Sequence, residues 1–206
     1  MWSEAAPKSE STLVLASSSP RRRQLLELIG LAFRVVPADV DETPRTGEEP
    51  ASFAQRAARD KSTEVARRCP HDLVLGADTV VDIDGRILGK PGSRLEAEEM
   101  LRSLADREHM VHTALSMVSE GSSHELLDTA TVRFFPLDDA TIRWYVETGE
   151  PLDKAGAYAI QGFGGLMVAS MTGSPHTVVG LPIQRLPELF EAHGLDFWSR
   201  VVSFGR

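Results

Sequence analysis

Asp78 stands in the run Val74-Leu75-Gly76-Ala77-Asp78-Thr79-Val80-Val81, with apolar residues on both sides. A carboxylate in such a segment is costly to bury unless a cation, a hydrogen-bond network or a metal ion answers it. That makes Asp78 the foremost candidate for chemistry, as a proton acceptor or a metal contact. Gly76, two residues earlier, leaves room for another group to approach the backbone. Asp82 and Asp84 fall at the following turn and are expected to be solvated.

A second constellation is Ser17-Ser18-Ser19-Pro20-Arg21-Arg22-Arg23. A serine is a good N-cap and proline suits a first helical position. A helix starting here would offer free backbone N–H groups to an anion, and guanidinium groups on its first turn can clamp phosphate oxygens. The plainer reading is a capped surface helix with solvated arginines. On either reading Arg22 is expected to be exposed and to contribute little to stability. Lys61 falls by helical spacing on one face with Ala54, Ala57, Ala58 and Val65, so it points inward from an apolar stripe. It either snorkels to the surface or serves as a ligand for a phosphate or carboxylate. Asp41 and Glu42 follow a short apolar segment and are either metal ligands or solvated loop acids; oxygen ligands of this kind suit Mg²⁺ or Mn²⁺. His109 and His112 lie three apart in a predicted strand, hence on opposite faces. With one cysteine, Cys69, zinc has no ligand set. Neither a Walker-type nor a Rossmann glycine pattern is present.

The elements that must position these residues alternate. Thr12 to Ser17 reads as a strand, Pro20 to Gly30 as a helix, and Phe33 to Val36 as a strand. A helix follows over about Pro50 to Arg68, then a strand from Asp72 into a hairpin at Asp84-Gly85. Leu95 to Leu104 is a predicted helix. His109 to Val118 and Leu126 to Phe135 are longer strands joined by a loop, Glu120-Gly121-Ser122-Ser123. A helix from Asp138 to Thr148, a Gly-rich segment from Ala155 to Gly165, a strand from Leu166 to Met171 and a helix from Pro182 to His193 complete the reading. Alternation followed by longer strands predicts an α/β fold with α+β character, a mixed sheet flanked by helices.

Composition narrows the function. The chain of 206 residues is 42% hydrophobic and 25% charged with net charge −8. It is long enough for a substantial core, and too acidic for general binding to a nucleic-acid polymer, which needs a basic face. The single cysteine suits a reducing compartment. Met1 to Ser11 lacks the apolar run of a signal peptide, and no stretch is long and apolar enough to span a membrane. A cytoplasmic location is expected.

Several segments together resemble the Maf family: Leu15-Ala16-Ser17-Ser18-Ser19-Pro20-Arg21-Arg22, Asp41-Glu42, Ala58-Arg59-Asp60-Lys61, Gly76-Ala77-Asp78-Thr79, Gly89-Lys90-Pro91, Pro151 to Tyr158 with Ile160-Gln161-Gly162, and Val178-Val179-Gly180-Leu181-Pro182. They occur in the family's order across residues 12–193, between a polar tail at residues 1–11 and a C-terminal tail at residues 194–206. The resemblance implies an inosine triphosphate pyrophosphatase-like fold with a central cleft between two lobes. The implied activity is hydrolysis of nucleoside triphosphates to monophosphate and pyrophosphate, in a nucleotide-pool housecleaning role, with a divalent cation as cofactor and a homodimer as assembly. Asp78 would be the proton acceptor, with metal contacts at Asp78 and Glu42. Ser17, Arg21, Arg22, Lys61 and Lys90 would hold phosphates. Arg22, Thr79 and Gln161 match positions that mark the members acting on dTTP and UTP. A sister group acting on 7-methyl-GTP typically has cysteine where this chain has Lys154, and the family's association with septum formation offers a third role, a nucleotide-binding regulator of cell division. Ala159, where a glycine is common, and Ser174-Pro175-His176-Thr177 depart from the pattern near the implied base pocket.

Overall fold

A computed structural model describes residues 11–201; the expected N-terminal tail, apart from Ser11, and the last five residues lie outside the described part. The strands are β1 (Leu13–Leu15), β2 (Phe33–Val35), β3 (Leu73–Ile83), β4 (Arg86–Leu88), β5 (Glu108–Ser119), β6 (Ser122–Phe134) and β7 (Val168–Thr172). They form one sheet in the order β2-β1-β3-β5-β6-β7, with β4 attached to β3. β1 is parallel to both β2 and β3, whereas all later pairings are antiparallel. The helices are α1 (Pro20–Leu28), α2 (Pro50–Arg68), α3 (Arg94–Leu104), α4 (Asp139–Glu147), α5 (Pro175–Val179) and α6 (Leu186–Ala192). The expected mixed sheet flanked by helices is therefore present.

Burial on both faces explains the apolar runs in β1 and β3, as is usual for strands at the centre of such a sheet. Leu73, Leu75 and Ala77 of β3 pack with Leu25 and Leu26 of α1 and Phe190 of α6. Further along the same face, Val81 and Ile83 join Leu101 and Leu104 of α3 and Tyr145 of α4. The other face meets α2, where Val80 packs on Phe53, Ala54, Ala57 and Ala58, and Val74 packs on Val65. A Cβ on Gly76 would sit 2.4 Å from the carbonyl oxygen of Ala58, so the group that approaches this backbone is α2 itself.

A break in the sheet creates the cleft. β1 pairs with β3 only over Leu73–Leu75, and β4 takes up the same edge only at Val81–Ile83. Between them, Gly76 to Val80 has no strand on that side among the described residues, while its other edge stays paired with Ser116 to His112 of β5. The two large cores lie to either side of this gap.

Several boundaries differ from the sequence reading, each for a local reason. The expected four-residue loop between β5 and β6 is a two-residue turn, Glu120-Gly121, with φ of 46° and 83°. Paired positive φ values match the twist of a hairpin, so Ser122 and Ser123 join the ladder opposite Ser119 and Val118. Helix α5 was not anticipated; Ser174 caps it by accepting from the His176 N–H, and Gly180 ends it at φ 112°. The helix expected from Pro182 is divided into a 3-10 turn at Ile183–Arg185 and α6, because Pro187 has no N–H to continue an α-helical ladder. A 3-10 turn at Phe163–Met167 delays β7 to Val168. Beyond residue 193 the chain still packs on the core: Phe197 is buried against Phe190, ring centroids 5.3 Å apart, and Val201 bridges to Leu31.

Candidate active site

Consecutive strand residues point to opposite faces, so Asp78 and Thr79 enter the gap from the two sides of β3. On the α2 side, Lys61 Nζ donates to Asp78 Oδ1 at 2.6 Å and to Glu42 Oε2 at 2.8 Å. Lys61 is buried, 7% exposed, and does not snorkel. Its ammonium is the cation that makes a carboxylate tolerable in an apolar strand. Glu42 lies on a loop pinned to α2 by Arg56, which donates to both Glu48 carboxylate oxygens at 2.6 and 2.7 Å and to the Thr43 carbonyl at 3.0 Å. These bonds hold the Glu48 carboxyl down to about 2. Asp41 is exposed and turns instead to its own loop, accepting from the Thr43 N–H at 2.9 Å. Neither Glu48 nor Arg56 stands out in the sequence, since Glu48 looks like an ordinary loop acid and Arg56 like an ordinary helix-surface charge.

On the other side of β3 the structure corrects one expectation. Arg22 is buried, not exposed. Its Nε donates to the Gly180 carbonyl at 2.9 Å, one Nη to Ser17 Oγ at 3.1 Å and the other to Thr79 Oγ1 at 3.2 Å. Burial lowers its pKa, with Asp78 and Glu42 acting in the opposite direction. Gly180 must be glycine here: its φ is 112°, and a Cβ would meet Thr79 Oγ1 at 3.0 Å. Ser19 occupies the N-cap of α1 but its side chain makes no capping bond; Ser17 Oγ instead accepts the Ser19 N–H at 3.2 Å. Arg21 is half-exposed beside Asp153 at 3.6 Å, which also pairs with Lys154. Lys90 and Gln161 line the cleft with exposed side chains.

Gln161 sits on a loop held from below by a carboxylate that sequence reasoning missed. Glu150 accepts from Tyr145 OH at 2.9 Å, Phe163 N–H at 3.1 Å and Gly164 N–H at 3.0 Å. Tyr145 OH in turn accepts the Ala159 N–H at 3.1 Å. Gly162 has φ 119°, and a Cβ there would strike Glu150 Oε2 at 2.5 Å. The spacing of Glu150 from this loop carries no periodic signal. The glycine cluster at residues 162–165 is the only sequence trace of the close approach.

Asp82 is a second correction. It is buried rather than solvated, and its carboxylate accepts from the Gly85 N–H at 2.7 Å while facing His112 Nε2 at 3.3 Å. Asp84 is exposed, as expected. His109, also buried, reaches Tyr158 OH at 2.9 Å through Nε2 and leaves Nδ1 without a partner among the described residues.

The cleft has a volume of about 580 Å³, ample for a nucleotide-sized ligand. Its lining carries five cationic side chains, Arg21, Arg22, Lys61, Lys90 and Lys154, against three acids, Glu42, Asp78 and Asp153. A chain of net charge −8 thus concentrates positive charge at one concave place, the arrangement that draws in a polyanion. Ser17, Thr79 and Gln161 share this lining, so the residues singled out from the sequence for the site are brought together here, with the exception of Asp41. Among the described residues no group of three or more His, Cys, Asp or Glu side chains is placed to hold a metal ion. Glu42 and Asp78, both bonded to Lys61, are the pair that would offer oxygen donors to Mg²⁺ or Mn²⁺, ions that take one or two carboxylates and complete their shell from substrate phosphates and water.

Fold and site together define an α/β protein with a polyanion-binding cleft at a break in a mixed sheet. A HAM1 protein from Coxiella burnetii shares the fold, with a TM-score of 0.50 at 16% identity over 88% of this chain and 99% of that one. The chain belongs to the Maf family: the model for Maf-like proteins matches residues 12–193. A dTTP/UTP pyrophosphatase of Symbiobacterium thermophilum is 46% identical over 187 residues, 91% of this chain and 96% of the relative. One from Anaeromyxobacter dehalogenans is 48% identical over 193 residues, 91% and 97% respectively.

Proposed function

We infer that the protein is a nucleoside triphosphate pyrophosphatase acting on dTTP and UTP, releasing nucleoside monophosphate and pyrophosphate. The observation that carries this reading is Asp78, a buried carboxylate held by Lys61 in a cleft otherwise rich in cations. A protein that only bound nucleotides would gain nothing from an acid among the phosphate-binding cations. The names of the relatives supply the substrate class.

On this reading the triphosphate lies across the gap in β3. Arg21, Lys90 and Lys154 meet its phosphates at the mouth; deeper in, the free N–H of Arg22 beside Ser17 meets a phosphate and the one beside Thr79 faces the base. Asp78 accepts the proton of the water that attacks the α-phosphorus, and Lys61 keeps that carboxylate in place. The charge that develops on the leaving pyrophosphate is met by fixed cations rather than by reorganising solvent. Glu42 and Asp78 would hold a divalent ion, which when bound polarises the phosphoryl oxygens and neutralises charge. The polar amide of Gln161, on its pinned loop, faces the base. A cytoplasmic location and a homodimer belong to the same reading and rest on composition and family resemblance. No described helix is long and apolar enough to cross a membrane.

The test is product analysis on the purified protein with dTTP, UTP, CTP and GTP, with Mg²⁺, with Mn²⁺ and with chelator. Monophosphate and pyrophosphate from dTTP and UTP, lost on chelation, are expected. Orthophosphate and a diphosphate would place the cleavage at the wrong bond.

A further inference from the structure

Thr79 faces the cleft, and its hydroxyl belongs to a chain of hydrogen bonds that runs away from it through the sheet. Thr79 Oγ1 is 2.9 Å from Thr113 Oγ1 on β5, and Thr113 Oγ1 is 2.7 Å from the Thr177 carbonyl oxygen in α5. Thr113 and Thr177 are fully buried. A carbonyl only accepts and a hydroxyl has one proton. Thr113 must therefore spend its proton on Thr177, which leaves it able only to accept from Thr79. Thr79 in turn spends its own proton on Thr113. Arg22 occupies one lone pair of Thr79 Oγ1, and the other remains for a ligand. Thr79 therefore presents an acceptor to the cleft and cannot donate. Beside it stands the Arg22 guanidinium, which can only donate.

We propose that Thr113 is a positioning residue for base selection: it fixes the polarity of Thr79 so that the cleft offers an adjacent donor and acceptor to the base. Uracil and thymine match this pair, with a carbonyl oxygen that accepts and a ring N3–H that donates. Cytosine presents an unprotonated N3 at the same place, so acceptor would face acceptor and a buried lone pair would lose its partner. Without the Thr113 hydroxyl, Thr79 is free to rotate and donate, and cytosine is then tolerated. The inference rests on the pyrophosphatase reading and adds a residue that touches no substrate.

The experiment compares kcat/KM for UTP and CTP in the wild-type protein and in Thr113→Val and Thr113→Ser, with pyrophosphate release as the readout. Thr113→Val should lower the UTP-to-CTP ratio by about tenfold or more, as expected when a discriminating hydrogen-bond mismatch is relieved. Thr113→Ser keeps the hydroxyl and should keep the wild-type ratio. Should the valine form not fold, Thr113→Ala makes the same comparison. A purely structural role for Thr113 would reduce both substrates alike, so an unchanged ratio in the valine or alanine form overturns the proposal. An equal fall in Thr113→Ser overturns it as well. Failure of the wild-type protein to release pyrophosphate from UTP overturns the pyrophosphatase reading, and this inference with it; a UTP-selective wild type with an unmoved ratio in the variants overturns only the role of Thr113.

Discussion

Arg22 Nε donates to the Gly180 carbonyl oxygen at 2.9 Å, joining the first turn of α1 to the end of α5 across 158 residues of sequence. The same guanidinium holds Ser17 and Thr79. One side chain therefore ties together the end of β1, the open edge of β3 and the turn that closes the cleft. A residue with that connectivity serves stability and ligand binding at once.

Arg22→Ala should accordingly lose both. It leaves the buried Gly180 carbonyl without its donor and opens a cavity at the floor of the cleft. An unsatisfied buried group costs about 1–3 kcal/mol, or several degrees in Tm for a domain of this size. Thermal unfolding and steady-state kinetics on the same preparation check this. An unchanged Tm would mean that the three contacts contribute nothing to the fold. Full activity would remove Arg22 from the site.

Base selection should depend on Glu150 as well as on Gln161. Gln161→Ala removes the amide itself, and kcat/KM for dTTP and UTP should fall about five- to 150-fold, the equivalent of roughly 1–3 kcal/mol of lost hydrogen bonding. Glu150→Gln leaves Gln161 untouched but replaces one of the two oxygens that accept from Phe163 and Gly164 with an NH2 group that cannot accept. It should loosen the loop and raise KM more than it lowers kcat, because the reacting groups at Asp78 are unaffected. Equal losses on dTTP, UTP, CTP and GTP for Gln161→Ala would show that the side chain shapes the pocket and does not read the base.

Much of the site was legible because its residues violate simple local rules. Asp78 interrupts an apolar strand and Lys61 interrupts an apolar helical stripe. Each needs the other, and the 2.6 Å contact between them answers both. The gap in the sheet was not legible. It depends on where β1 and β4 stop pairing with β3, and an apolar run looks the same whether one or both of its edges are bonded. Arg22 was misplaced for a related reason: a first-turn arginine after Ser-Pro has the pattern of a solvated residue, and its burial is decided by Gly180, far along the chain. Thr113 and Glu150 gave no signal at all. Their importance lies in hydrogen-bond direction and in contact with backbone N–H groups, neither of which has a sequence period.

Acid sensitivity should have an identifiable contributor in His109. Burial against Phe134 and Tyr158 pushes its pKa down to about 4 from 6.5. The unfolded chain therefore takes up a proton near pH 6.5 that the folded chain refuses until about pH 4. The unfolded state binds more protons across that window, so stability is full above pH 6.5 and declines as pH falls towards 4. His109→Phe preserves an aromatic side chain in the cluster and removes the titration. Tm measured against pH for both proteins should show a shallower decline in the variant between pH 6.5 and 4. Parallel curves would assign the acid sensitivity to other groups.

The enzymatic reading depends most on Asp78, and Asp78→Asn tests it. The substitution keeps size and leaves an amide oxygen that can still accept from Lys61, so the fold should survive with a modest loss in Tm. Lys61 also retains Glu42 at 2.8 Å, which limits the penalty for a buried cation losing its charged partner. What is lost is the capacity to take a proton from water and to contact a divalent ion. Loss of a general base alone lowers turnover by about a hundred- to ten-thousand-fold, and a lost metal contact deepens that. Affinity for the nucleotide should hold or improve, because the cationic lining remains and one negative charge near the phosphates has gone. Pyrophosphate release, affinity for a non-hydrolysable UTP analogue and thermal unfolding, measured on one preparation, separate these effects. Near-normal turnover in Asp78→Asn would remove Asp78 as the proton acceptor, and the attacking water would have to give its proton to another group.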